Sequence, residues 1–211
     1  MLNLAQAGDN IVSSTDLYGG TWTLFSQTLK QFGIETRFVD PTDPEAFRRA
    51  TDAKTRAYYA EILPNPKLNV FPIKEVADIG RSLGVPLIAD NTATPLIARP
   101  FEHGAAVVVY SATKYIGGHG TSIGGLIVDG GNFPWEEHKE RQPALNTPDP
   151  SYHDLVYTDH YGDAAYIGRC RSVYQRTSGA VLSPLNAFLL LQGIETVALR
   201  VERHKIGRAH V

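Results

Sequence analysis

Lys114 follows a run of strand-type residues, AAVVVYS (105–111), and leads into a glycine-rich tract, YIGGHGTSIGG. An amine at a strand exit, next to the hydroxyls of Ser111 and Thr113, can reach a carbonyl or phosphate in a crevice. Desolvation there favours the neutral amine, a nucleophile able to form a Schiff base. The plainer readings are a surface lysine and two hydroxyls that satisfy turn backbone. Asp90 ends a second apolar run, VPLIAD (85–90). It is either a turn former in Asp-Asn-Thr or an acid that keeps a pyridinium nitrogen protonated. Tyr18, before Gly19 and Gly20, is ordinary packing or a lid on a flat ring. Asn65, between Pro64 and Pro66, is a turn residue or a donor to a ring hydroxyl. Together these are a lysine, a ring-nitrogen acid, phosphate-binding hydroxyls and a stacking aromatic. They are the parts of one site for pyridoxal 5′-phosphate (PLP).

Such a site needs elements that bring distant residues to one edge. DNIVSS (9–14), IETRFVD (34–40), TRAYYAEIL (55–63), VPLIAD, AAVVVYS and GGLIVD (124–129) have the composition of strands. Between them, TWTLFSQTLKQFG puts Trp22, Phe25, Leu29 and Phe32 on one helical stripe. DPEAFRRA (43–50) opens with an Asp cap and Pro44, and PIKEVADIGRSLG (72–84) is an amphipathic helix stopped by Gly84. Alternation of this kind predicts an α/β fold, a three-layer α/β/α arrangement with a mostly parallel sheet. Ligands then bind beyond the carboxyl ends of the strands, where Asn65, Asp90, Ser111, Thr113 and Lys114 fall. Residues 130–162 are loop-rich. Residues 163–204 read as helices, the last unbroken from Ser183 through LNAFLLLQGIETVALRVER, with Leu185, Phe188, Leu189 and Gln192 as a core stripe or a subunit interface.

The chain has 211 residues, a formal net charge of −2, 43% hydrophobic and 20% charged residues. A large core is expected, and nothing points to a nucleic-acid or membrane partner. Cys170 is the single cysteine, which excludes a disulfide framework or a multi-cysteine zinc site. No HExxH pattern is present, so no metal is expected. No apolar run reaches the roughly 18–20 residues that cross a bilayer, and the N-terminus lacks a signal-peptide pattern; a cytoplasmic setting is expected. Both ends read as cut. Met1 to Ala5 resembles the last turns of a helix, and residues 205–211 resemble the translation of a sequencing adapter, a non-native tail.

The sequence resembles the Cys/Met-metabolism family of PLP enzymes, fold type I. The resemblance rests on AGDNIVSS, LYGG (17–20), FVDPTDPEAFR, PNPKLNV (64–70), PLIADNT, HGAAVVVYSATKYIGGHGTSIGGLIVDGGNF, TPDPSYH and LSPLNAFLLLQGIETVALRVERH. It spans residues 1–204, and GTSIGGLIVDGGNFPW with PDPSYH points to the sulfhydrylase branch. It implies that Lys114 holds PLP and moves the substrate's α and β protons. It also implies that Asp90 partners the ring nitrogen, Tyr18 stacks on the ring, Ser111 and Thr113 bind phosphate, and Asn65 lies near the ring oxygen. The implied reaction is γ-replacement on O-acetylhomoserine by sulfide or methanethiol, in a homotetramer. The family's upstream phosphate loop, N-terminal arm and C-terminal domain have no counterpart in these 211 residues. Residues 1–204 are therefore expected to be an incomplete PLP-binding large domain, inactive by itself. Glu61-Ile62-Leu63 departs from the family's usual polar-glycine approach to the asparagine.

Three other readings compete: cystathionine synthase or lyase chemistry, a non-catalytic fragment, and a dinucleotide-binding module. Gly118, Gly120 and Gly124 loosely resemble a dinucleotide fingerprint. The G-x-G-x-x-x-G spacing and the strand expected after it do not fit one.

Overall fold

The structure is a computed structural model and describes residues 1–208, with side chains to residue 204. Of the expected foreign tail, residues 209–211 lie outside the described residues.

Six strands form one sheet: β1 (Asn10–Ser14), β2 (Glu35–Val39), β3 (Thr55–Glu61), β4 (Leu87–Asp90), β5 (Val107–Ser111) and β6 (Gly125–Asp129). Their order is β2-β1-β3-β4-β5-β6. All pairings are parallel except β5 with β6. The chain steps outward from β1 to β2 and then crosses back to β3, so the order reverses between β1 and β3. Crevices for ligands open at such a point.

Side chains alternate between the two faces of each strand, and both faces are covered. Ile11, Tyr59, Ile88 and Val107 pack on one side with Phe25, Leu29, Trp135, Tyr157 and Tyr166. Val12, Tyr58, Leu87, Ala89 and Val108 pack on the other with Phe47, Val76, Ala77 and Ile79. The second layer is supplied by α2 (Pro44–Ala50) and α3 (Ile73–Ser82). Asp43 caps α2, accepting from the Glu45 N–H at 3.1 Å, and Pro44 occupies the first turn. The three-layer α/β/α arrangement is thus present, with the acidic and hydroxyl strand ends on one edge.

Three elements differ from their sequence patterns. Helix α1 begins as Gly19–Thr23, widens into a π-helical turn, Leu24–Thr28, and ends as Leu29–Gln31. The wider turn rotates the apolar stripe. Phe25 and Leu29 stay buried, whereas Trp22 and Phe32 are exposed. Trp22 stacks instead on Phe38 of β2, with centroids 4.1 Å apart. A helix from Ala165–Arg169 (α4) likewise continues through a π-helical turn, Cys170–Gln175.

The final helix is two, α5 (Pro184–Glu195) and α6 (Val197–Arg208), broken at Thr196. The expected core stripe on α5 is not core. Leu185 and Phe188 are 66% and 55% exposed and Gln192 is exposed, while Leu190 and Gly193 are buried. Gly193 faces inward because it lies against the carbonyls of Ile116 and Gly117, and Leu190 fills the space beside Gly117 and Gly124. Met1 to Ala5 forms a single hydrogen-bonded turn, with Ala5 N–H donating to the Met1 carbonyl at 3.1 Å.

Candidate active site

Every residue singled out for chemistry lies at the carboxyl edge of the sheet. The β1–α1 connection carries Tyr18, and the loop after β3 carries Asn65. Asp90 is the last residue of β4, and Ser111 the last of β5. Lys114 follows one turn later, its N–H donating to the Ser111 carbonyl at 3.1 Å.

The lysine and the tyrosine meet. Lys114 Nζ lies 6.0 Å from the centroid of the Tyr18 ring. The ring in turn lies over Gly20, where an added Cβ would sit 2.7 Å from Tyr18 Cε1. A side chain at position 20 would push the ring aside, and Tyr18 is 53% exposed. Lys114 is itself exposed, so the desolvation expected for it is not supplied by the described residues.

Asp90 is fixed from both sides. One carboxylate oxygen accepts from the Thr92 N–H at 2.8 Å, the other from the Tyr59 hydroxyl at 3.2 Å. Thr92 Oγ1 accepts from the Ser111 N–H at 2.7 Å, tying the ends of β4 and β5 together. Asp-x-Thr in ADNT thus builds both the acid and its bridge to the next strand. Asp90 also pairs in register with Glu61, a residue that residue-level reading of the sequence did not assign to the site.

Glu61 is 8% exposed, and its Oε1 accepts from the Tyr18 N–H at 2.7 Å. Burial pushes its carboxyl up to about 7. The Tyr18 N–H opposes this, the Asp90 charge adds to it, and the Asn65 N–H opposes it again. Burial, then the Asp90 and Glu61 charges, hold the Tyr59 phenol well above its usual range. The signal for Glu61 was in the sequence: an acid ends TRAYYAE directly after the apolar run AYYA. Nearby, buried Asp16 accepts from Lys67 Nζ at 2.6 Å and Asn69 Nδ2 at 3.0 Å. This pins the Tyr18 segment to the loop that carries Asn65.

Thr113 is placed less simply. Its Oγ1 accepts from the Gly124 N–H at 3.0 Å and contacts the Gly124 carbonyl at 3.3 Å. The hydroxyl closes the glycine loop, the plainer of its two sequence readings, and it would share that bond with any phosphate. Asn65 is exposed at the rim. The glycine tract leads into strand β6, not into a helix, so the dinucleotide fingerprint has no helix N-terminus to work with. Among the described residues no three His, Cys, Asp or Glu side chains gather as a metal site. No helix there is long and apolar enough to cross a membrane.

A doubly wound sheet with these side chains at its mouth is the large-domain architecture of the fold-type-I PLP enzymes. The chain belongs to the Cys/Met metabolism PLP-dependent enzyme family, whose profile matches residues 1–210. It is 47% identical over 206 residues to the homocysteine synthase of Schizosaccharomyces pombe, covering 97% of this chain and 48% of that protein. Its fold matches a Campylobacter jejuni structure named O-acetylhomoserine (thiol)-lyase, which contains a pyridoxyl-lysine phosphate. That match has a TM-score of 0.90 and 41% identity, covering 96% of this chain and 50% of the other. A cystathionine gamma-lyase from Lactobacillus plantarum is less similar, with a TM-score of 0.71 and 31% identity over 92% of this chain and 42% of its own. The chain spans about half the length of the curated relatives it matches.

The donor set fits PLP. An amine stands beside an aromatic face, a fixed carboxylate suits a protonated ring nitrogen, and hydroxyls lie on the next strand.

Proposed function

We propose that the full-length protein carrying this chain is a PLP-dependent O-acetylhomoserine sulfhydrylase. It exchanges the acetate of O-acetylhomoserine for sulfide or methanethiol and releases homocysteine or methionine. The observation that carries this reading is Lys114 Nζ beside the Tyr18 ring, on the sheet edge where Asp90 ends the neighbouring strand. The higher similarity to the O-acetylhomoserine (thiol)-lyase than to the cystathionine gamma-lyase favours the sulfhydrylase branch. The second reading, transsulfuration through cystathionine, keeps the same site and differs in the incoming thiol.

When bound, PLP withdraws electrons from the substrate's α carbon through its protonated ring. Lys114 would hold the cofactor covalently, and its amine would take and return protons at the substrate's α and β carbons. Asp90 keeps the ring nitrogen protonated, and Tyr59 and Thr92 keep Asp90 oriented. Tyr18 would cover one face of the ring, Ser111 and Thr113 would donate to the phosphate, and Asn65 would serve the ring oxygen. In this reading residues 1–204 are the cofactor-binding large domain of a cytoplasmic homotetramer.

Two substitutions in the full-length protein test the assignment. Lys114→Ala is expected to remove both turnover and the visible absorption of bound cofactor; retained activity would overturn it. Asp90→Asn is expected to keep cofactor bound and to slow proton removal from the α carbon, read as loss of deuterium exchange at that position. Unchanged exchange would refute the ring-nitrogen role. Assays with O-acetylhomoserine plus sulfide, methanethiol or cysteine separate the sulfhydrylase from the transsulfuration reading.

A further inference from the structure

The backbone that follows Lys114 is held by a side chain 86 positions further along the sequence. Inside the loop, the Gly117 N–H donates to the Ala112 carbonyl and the Gly118 N–H to the Lys114 carbonyl, each at 2.8 Å. These bonds leave the carbonyls of Tyr115, Ile116 and Gly117 unmatched within the loop, and such groups need partners. His119 Nδ1 donates to the Gly117 carbonyl at 2.7 Å. The other two carbonyls converge on Arg200 of α6. Arg200 Nη1 donates to the Tyr115 carbonyl at 2.5 Å, and Nη2 to the Ile116 carbonyl at 3.1 Å.

The guanidinium is itself anchored. Nη2 also reaches the Gly193 carbonyl at 2.6 Å, and Nε reaches Thr196 Oγ1 at 3.2 Å, at the break between α5 and α6. Two glycines make the approach possible. A Cβ on Gly118 (φ +76°) would strike the guanidinium, and one on Gly193 would strike the Ile116 and Gly117 carbonyls. The planar fork of an arginine can bridge two carbonyls in a fixed geometry; a lysine ammonium is a point donor that cannot reproduce the fork.

We propose that Arg200 is a positioning residue for Lys114: it fixes the turn from which the lysine reaches the cofactor. The inference rests on the reading that Lys114 is the cofactor-bearing lysine. The catalytic geometry it protects is sensitive, since a displacement of about 1 Å in a reacting group can lower the rate about 10²-fold.

The test uses the full-length protein with Arg200→Lys and Arg200→Gln, compared with wild type. Hydrogen exchange is followed on cofactor-free protein, and covalent attachment of added PLP is followed by borohydride reduction and peptide mapping. Folded variants should show faster exchange in the peptide that contains residues 111–118 and at the break between α5 and α6, and not elsewhere. Attachment at Lys114 should slow about 10²-fold. Unchanged exchange and unchanged attachment would overturn the inference. Faster exchange throughout the protein, or failure of both variants to fold, would do the same by making Arg200 a general staple. If wild-type protein attaches PLP at another lysine, the cofactor reading fails. The exchange of residues 111–118 then still decides whether Arg200 holds the loop.

Discussion

Glu61 shows how one buried group can report on the whole site. Its folded-state carboxyl is raised from an ordinary 4.5 to about 7, chiefly by burial. A raised acid makes the folded state bind its proton more tightly than the unfolded chain. Its contribution to stability is therefore fullest below about pH 4.5 and is lost as pH rises through about 7. A shift of this size corresponds to about 3 kcal/mol between the two ends of that window. Glu61→Gln keeps an oxygen to accept the Tyr18 N–H and removes the titration. Urea unfolding of cofactor-free protein is expected to show wild-type stability falling from pH 4.5 to 7 relative to Glu61→Gln. Parallel pH profiles would refute the assignment. The candidate lysine, acid, tyrosine and hydroxyls were legible in the sequence because each lies at or just beyond a strand end or borders glycine. Tyr59 and Thr92 were not, because their roles come from neighbouring strands and turns that only folding brings alongside; for Glu61 the sequence shows an acid at a strand end, and only folding shows it buried beside Asp90.

At the scale of elements, α3 is held against the sheet by a close approach at Gly80. A Cβ there would strike the Val85 carbonyl and lie 3.1 Å from the Tyr58 ring. Gly80→Ala is expected to destabilise the protein by about 1–3 kcal/mol, as overpacking does. Phe47 of α2 is fully buried against Tyr58 and Phe71, with centroids 5.3 and 5.8 Å away. Phe47→Ala is expected to lower stability by about 3–5 kcal/mol. Denaturant midpoints check both, and a Gly80→Ala protein as stable as wild type would mean that α3 sits further from the sheet. The strands and α2 were legible because short β-branched apolar runs, an aspartate cap and a proline are local signals. The π-helical turn in α1 was not, because no residue type announces it.

For the molecule as a whole, the apolar residues that remain exposed on α5 and α6 are the main departure from the sequence pattern. Leu185 and Phe188 of the expected core stripe are each more than half exposed, and so are Leu191 and, beyond the break, Leu199. The proposed homotetramer would give this face a partner. Leu185→Glu with Phe188→Glu is expected to lower the association state of the full-length protein in light scattering, with circular dichroism unchanged. A tetramer that persists would place the interface elsewhere.

The sequence by itself determined the layered α/β fold and the strand ends that carry the chemistry. Apolar periodicity, caps and glycine stops act over a few residues and are written in order along the chain. The tertiary structure alone decided that Tyr18 lies over Gly20 beside Lys114, that Glu61 lies beneath the Tyr18 segment, and that Arg200 grips the loop after the lysine. Apart from the Tyr18–Gly20 approach, those are contacts between residues far apart in sequence. They depend on strand order, on the reversal between β1 and β3, and on which backbone groups the loops leave unpaired.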